Sequence, residues 1–426
     1  MKKLLFILLL TIPFIGFGQG WEKIFGGIGY DNGESVQQTN DGGYIICGTV
    51  ESTNSSNIYV IKTDGNGIEQ WSFLYGSGHV FSVQLTNDGG YIICGEMYGT
   101  GNGSEVCLIK IDGSGTQQWF QLYGWWSGYE GGKSVKQTSD GGYIITGMTE
   151  GGSTMSSDMF IIKTDGNGIE QWKHTFGGNG YDYGESVEET NDGGYIISGW
   201  TTSFGSGLED IYLLKVNNTG IVEWGKTFGG VNNEQSFSID KTNDGGYIIT
   251  GSTNSGNWSN KDVYLIKTDS LGDSLWTKTY GGIYDDEGHS VQQTIDGGYI
   301  ITGFIQDFNG FYNVYLIKTD GGGTEQWSQT FGDIYDDVGY SVQQTIDGGY
   351  IISGITEIIH EMDYDIYLIK TDGNGNVTST FNIPINPNRK LDKVVDILGR
   401  EIKHQTNTPF IEIYDDGSTE KKIVVE

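Results

Sequence analysis

The tetrapeptide Asp-Gly-Gly-Tyr begins at Asp41, Asp88, Asp140, Asp192, Asp244, Asp296 and Asp347, at spacings of 47, 52, 52, 52, 52 and 51 residues. A period of that size marks a repeat architecture, in which one supersecondary unit recurs and neighbouring units bury a shared core. Two further markers keep the same period. Ile or Leu followed by lysine falls at Lys62, Lys110, Lys163, Lys215, Lys267, Lys318 and Lys370, and tryptophan falls at Trp21, Trp71, Trp119, Trp172, Trp224, Trp276 and Trp327. The three markers agree on seven copies.

Each copy holds four short runs of strand character bounded by glycine or Asp/Asn turns. In the fourth they are Gln171 to Phe176, Ser186 to Thr190, Tyr195 to Ser198 and Ile211 to Val216. Nothing in the unit is long enough for a helix. The chain carries 70 glycines against 4 prolines with no three-residue period, which excludes collagen, and 36% hydrophobic with 13% aromatic residues excludes disorder along its length. Asp-Gly-Gly and Asp-Gly-Asn-Gly supply tight hairpins, while the other two connections vary from copy to copy. Successive loops of an antiparallel meander alternate sides, so tight turns are expected on one side and variable loops on the other.

The expected fold is therefore all-β: a seven-bladed β-propeller followed by a small C-terminal β-sandwich-like domain. A linear β-solenoid is the competing architecture. The lone strand Trp21 to Phe25 is expected to complete the blade holding Ser341 to Asp372, tying the chain ends together. Residues 1–18 read as a signal peptide, with Lys2 and Lys3 before an apolar run and cleavage expected before Gln19. The propeller is placed at 19–375, a linker at 376–383 with Ser379 where an eighth tryptophan would fall, and the C-terminal domain at 384–426. No later stretch is apolar enough to span a bilayer.

From Ile383 onward the repeat vanishes. Asp396-Ile-Leu-Gly-Arg-Glu401 and the terminal Lys-Ile-Val make this segment resemble the C-terminal sorting domain of the type IX secretion system of Bacteroidota-type bacteria. The resemblance implies a small β-sandwich, secretion machinery as a partner and a secreted or outer-surface location. The repeats themselves, Asp-Gly-Gly-Tyr-Ile-Ile-x-Gly followed by Tyr-Leu-Ile-Lys-Thr-Asp, are similar to propeller-like repeats of secreted bacterial proteins with such tails.

A net charge of −31 opposes phosphate backbones, so nucleic acid is not an expected partner. The periodic lysines read as apolar stems with their heads in solvent, and the periodic tryptophans as core. Cys47, Cys94 and Cys107 read as small buried side chains, a Cys94 to Cys107 bridge being the alternative. No cofactor is expected. The Asp-Gly-Asn-Gly turns have a calcium-loop look, but Asn217-Asn-Thr-Gly220 and Asp269-Ser-Leu-Gly272 at the same position favour a plain hairpin.

If Ser-Val-x-x-Thr is the innermost strand, Gln37, Gln84, Lys136, Glu188, Asp240, Gln292 and Gln343 face a polar central channel, where Lys136, Glu188 and Asp240 are alternatively a small-cation or ligand site. Four tryptophans outside the repeat, Trp125, Trp126, Trp200 and Trp258, fall in or beside the variable loops. So do Tyr129, Tyr181-Asp182, Tyr284-Asp285-Asp286 and Tyr335-Asp336-Asp337. A rim of rings and carboxylates suits a glycan or a peptide, and tyrosines folded back as caps explain the same pattern. No hydrolase or phosphate-loop motif is present, and His289 and His360 read as solvated loop residues. The expected function is non-catalytic binding at this rim. A carbohydrate-active enzyme with rim carboxylates and a purely structural surface component are the alternatives.

Overall fold

The computed structural model describes residues 20–27, 29–52, 55–98, 103–124, 128–150, 156–255, 260–359, 363–377, 390–395, 410–414 and 419–422. The signal-peptide segment 1–18, the motif at 396–401 and His360 lie outside the described residues. The chain divides into two compact units, 1–378 and 379–426.

The first unit is a β-propeller built of repeated antiparallel sheets. In one, Asp182–Glu189, Tyr195–Thr201, Asp210–Val216 and Val222–Phe228 follow each other from the inside outward. The inner strand thus begins at Asp182, four residues before the Ser186 expected from sequence, because Gly184 lets the chain stay paired across a bulge. Elsewhere the strand Glu69–Leu85 runs for 17 residues from the outside of one set of strands to the inside of the next, giving a seven-stranded sheet. The reason is local: Trp71 stands 17 residues before Asp88, whereas Trp172 stands 20 before Asp192, and no residues are left to form a loop.

The ring closes through the first strand. Trp21–Phe25 pairs antiparallel with Asp363–Thr371, Trp21 opposite Lys370 and Phe25 opposite Ile366. The inner strands are also stitched side to side. Ser35 Oγ accepts from the Val83 N–H at 3.3 Å and Gln37 Oε1 from the Leu85 N–H at 2.8 Å. The same pattern joins the last inner strand to the first, Ser341 accepting from Val36 at 3.3 Å and Gln343 from Gln38 at 2.6 Å.

Apolar faces fill the spaces between sheets. Val36, Ile46 and Ile61 of the first sheet meet Ile351, Ile366 and Leu368 of the last, all of them buried, so hydrophobic burial holds the closing interface as well as the others. The periodic tryptophans pack against these buried clusters as expected, at their edge rather than at their centre. They are half-buried, and Trp21 covers the turn at Gly67, where a Cβ would lie 2.6 Å from its ring. Gly67 has φ +73°, so glycine is needed there twice over, for its conformation and for the tryptophan above it.

The periodic lysines differ from expectation. Their heads turn back to the tight-turn side rather than into water: Lys62 is 3% exposed, and its Nζ donates to Asp41 and, at 2.8 Å, to the Thr63 carbonyl. The aspartate of each Asp-Gly-Gly turn draws the ammonium in. The pairing recurs at Lys110–Asp88, Lys163–Asp140, Lys215–Asp192, Lys267–Asp244, Lys318–Asp296 and Lys370–Asp347. Cys47, Cys94 and Cys107 are buried and free, and Cys107 stands opposite Gly95 rather than Cys94.

The second unit contains a three-stranded antiparallel sheet of Leu391–Val395, Phe410–Tyr414 and Thr419–Lys422. Among the described residues no helix is long and apolar enough to cross a membrane.

Candidate functional site at the loop-side mouth of the channel

Each inner strand slips register once. Between Gly33 and Ser35, for example, pairing with Tyr44–Ser52 skips Glu34. The same bulge leaves out Phe81, Lys133, Glu185, Phe237, His289 and Tyr340. A bulge re-aims the extra side chain out of the ladder. Here it sends all seven toward the axis, one step from the ring of serines and nearer the variable loops. Glycine makes the geometry possible: a Cβ on Gly48, opposite the bulge, would collide with the Asn32 carbonyl.

These side chains meet. Lys133 Nζ sits 3.6 Å above the centre of the Phe81 ring. His289 stacks on Tyr340 at 5.4 Å, with Phe237 edge-on at 5.3 Å, and Tyr340 is hydrogen-bonded to Tyr30. His289 Nδ1 lies 3.1 Å from the Gly339 carbonyl and Nε2 lies 3.3 Å from Glu287, whose carboxylate also pairs with Lys261 at 2.5 Å. Trp200, stacked on Tyr183 at 4.2 Å, donates to Glu185, and Asn32 donates to Glu34 at 2.8 Å.

The electrostatics show convergence on the axis. Burial pushes Glu34 up to about 7, against the pull of Lys133 and His289 and with a further push from Glu185. These groups sit on separate inner strands, so they sense one another only across the opening. Burial also raises Glu185, with Lys133 and the Trp200 donor pulling the other way. Burial raises Glu209 at the loop side as well, opposed by Lys261 and a bond to Gln235. Glu287, despite burial, is lowered by His289 and Lys261.

Deeper, toward the tight turns, Gln37, Gln84, Lys136, Glu188, Asp240, Gln292 and Gln343 line a polar cavity of about 160 Å³ together with the serines. Lys136 and Glu188 form an ion pair at 2.6 Å. Burial and Glu188 push Asp240 up to about 6, although the Gln293 N–H and Lys136 oppose this. Among the described residues no group of three or more His, Cys, Asp or Glu is placed to hold a metal ion.

The rim expected from sequence divides. Trp125, Trp126 and Trp258 lie outside the described residues. Tyr129 and Tyr181 are 49% and 46% exposed, and Trp200 belongs to the channel mouth. Asp182, Asp286 and Asp337 are not rim groups: each is fully buried as the first residue of an inner strand. Loop amides hold them there, Gly178 on Asp182 at 2.9 Å, Gly282 on Asp286 at 2.6 Å and Asp333 on Asp337 at 3.0 Å. Burial pushes both Asp286 and Asp337 up to about 6. Asp285 and Asp336 accept from the Lys261 and Tyr312 amides of the neighbouring loop at 2.9 and 2.8 Å, and Tyr284 and Tyr335 are half-buried. These carboxylates clamp loops. His289 is likewise a half-buried mouth residue, not the solvated loop residue expected.

Sequence reasoning missed the bulged ring because a strict alternation of faces puts residue 34 and its equivalents on the wrong side. A signal was present. The residue before each Ser-Val or equivalent pair is Glu, Phe, Lys, Glu, Phe, His and Tyr in turn, while the following serine never changes.

No family model matches the chain. The regulatory protein FlaEY of Caulobacter vibrioides is 25% identical over 177 residues, 35% of this chain and 18% of that protein, so the match spans under a fifth of the relative's length. Solved structures with a similar outline include the Pan2 WD40 domain of Neurospora crassa (10% identity, 81% of this chain and 97% of that one, TM-score 0.47). The Dos1 propeller (12%, 83% and 95%, 0.47) and Chaetomium thermophilum Sqt1 bound to the N-terminus of a ribosomal protein (10%, 94% and 98%, 0.47) are further examples.

Proposed function

We propose that this chain is a non-catalytic binding protein whose first unit is a seven-bladed propeller and whose partner docks on the loop side, over the mouth of the channel. One observation carries the reading. Across the inner strands the serine that stitches the ring is constant, whereas the bulged residue beside it changes chemistry at every step, from Glu34 through Phe81, Lys133, Glu185, Phe237 and His289 to Tyr340. A position needed only for folding would repeat like its neighbours. Half-buried aromatic rings around a few charged groups are also the composition of a recognition surface.

The propeller is proposed to run over 19–375, followed by a linker at 376–383 and a sorting domain at 384–426. The apolar leader at 1–18 and the motif at 396–401 support export to the outer surface through a type IX route. Deleting 384–426 in a host with that machinery should trap the chain inside the cell.

The binding reading is tested by selecting a random peptide display library and a glycan array on the full chain. The same screen is run on a variant with Phe81→Ser, Phe237→Ser and Tyr340→Ser. Ligands retained by wild type and lost by a variant that still melts cooperatively support the site. Ligands that hold equally to both place recognition elsewhere.

A further inference from the structure

We propose that the deeper chamber of the channel binds a small zwitterion of the amino-acid type, its ammonium on Asp240 and its carboxylate on the carboxamides of the opposite wall. This site lies deeper than the mouth and goes beyond the binding reading above, which stands or falls without it.

The chamber is a cavity of about 160 Å³. One water needs roughly 10–15 Å³ of such space, so a small molecule has room there. The wall is not uniform around the ring. Four consecutive inner strands contribute Gln292, Gln343, Gln37 and Gln84, and the next three contribute Lys136, Glu188 and Asp240.

The carboxamides present donors to the chamber. Each places its oxygen on the backbone of the next strand: Gln37 accepts from Leu85 at 2.8 Å, Gln84 from Gln137 at 2.5 Å, Gln292 from Gln344 at 2.7 Å and Gln343 from Gln38 at 2.6 Å. Holding the oxygen on that strand turns the amino arm of the fork toward the chamber that these residues line.

The opposite wall supplies one net negative charge. Lys136 and Glu188 offset each other at 2.6 Å, while Asp240 gives one oxygen to the Gln293 N–H at 2.9 Å and forms no ion pair among the described residues. A secluded carboxylate calls for a cation. A bare metal ion would leave the facing amino groups without an acceptor, and a simple anion would meet Asp240 with the wrong sign. A molecule carrying both charges a few bonds apart answers both walls.

The stitching of the ring gives an independent reason. At five of the seven inner strands the residue at this position holds the next strand's amide. Lys136 has no acceptor to offer the Glu189 amide, and Glu188 is turned to Lys136 rather than to the Lys241 amide. Two stitches are given up here, whereas a position serving closure alone would keep glutamine all the way round.

Titration calorimetry of the full chain with glycine, glycinamide and acetate tests the assignment. Glycine should bind at least about tenfold more tightly than glycinamide, which lacks the carboxylate, and than acetate, which lacks the ammonium. Two variants keep the stitch and alter one wall each: Asp240→Asn still offers an oxygen to Gln293, and Gln343→Glu still offers one to Gln38. Each, checked for an unchanged melting transition, should weaken glycine binding at least about tenfold. Asp240→Asn should also erase the advantage over acetate, and Gln343→Glu the advantage over glycinamide. The inference is overturned if acetate or glycinamide matches glycine on the wild type, or if both variants bind glycine at full strength. It is overturned as well if glycine does not bind, the chamber then holding water alone. None of these outcomes bears on ligands retained at the loop-side mouth.

Discussion

Lys62 is buried while its partner Asp41, 3.0 Å away, is open to water, with side-chain exposures of 4% and 56%. The ammonium therefore depends on a carboxylate that solvent reaches, together with the Thr63 carbonyl and, at 3.3 Å, Gln70. Removing Asp41 strands a buried positive charge, whereas replacing the lysine with an apolar chain of similar length removes the charge with the need for it. Asp41→Ala should cost about 2–3 kcal/mol and Lys62→Met about 1 kcal/mol or less. Chemical denaturation of the two variants checks the order. A larger loss for the lysine variant would contradict it.

The Trp21–Gly67 contact can be separated from the conformational demand of a tight turn. Gly42 has φ +83° with open space where a Cβ would stand, whereas Gly67 has φ +73° and faces the Trp21 ring at 2.6 Å. Gly42→Ala should cost about 1 kcal/mol from backbone strain alone. Gly67→Ala should cost about 2–4 kcal/mol because the ring must also move. Truncating Trp21 to alanine should bring the Gly67→Ala penalty down toward the Gly42 value, the remainder coming from the Lys23 side chain 2.8 Å from the same Cβ position, measured as a double-mutant cycle.

At the ring closure, Asp365 and Asp31 crowd Gly26, and Asp365 Oδ1 has no hydrogen-bond partner among the described residues. Burial, then Asp31 and Asp363, push Asp365 up to about 6. Because this folded value lies above that of an unfolded aspartate, its contribution is full below about pH 4 and is lost as pH rises through 6. Asp286 and Asp337 act in the same direction. The lysine-paired aspartates act oppositely: hydrogen bonds and the lysine overcome burial and hold Asp41 at about 2, so their contribution falls only as pH drops toward that value. Stability should therefore be greatest near pH 4, falling between about 4 and 6 as the raised aspartates lose their contribution and falling again toward pH 2. Asp365→Asn should flatten the fall between about pH 4 and 6 and gain on the order of 1 kcal/mol at pH 7.5. Thermal melts across pH test both statements.

Much of this architecture is written in the sequence because it rests on local chemistry repeated at a fixed interval. Asp-Gly-Gly sets a turn wherever it occurs, Tyr-Ile-Ile sets a strand buried on both faces, and a lone Trp21 strand at the start leaves a matching edge at Asp363–Thr371. The polar channel followed from the same periodicity. What escaped depends on tertiary distance. Nothing within one copy shows that Asp41 and Lys62, 21 residues apart, meet at the turn side. The burial of Asp182, Asp286 and Asp337 depends on loop amides four residues upstream folding back. The bulge that turns Glu34 and His289 inward breaks the two-residue alternation from which strand faces are read.

The central claim is that recognition happens at the loop-side mouth. Hydrogen–deuterium exchange of the full chain, with and without the tightest ligand from the library screen, addresses it most directly. Protection should appear at the beginnings of the inner strands, around Asn32–Glu34, Tyr183–Glu185 and Glu287–His289, and leave the Asp-Gly-Gly turns at Asp41, Asp192 and Asp296 unchanged. Protection confined to those turns would contradict the account.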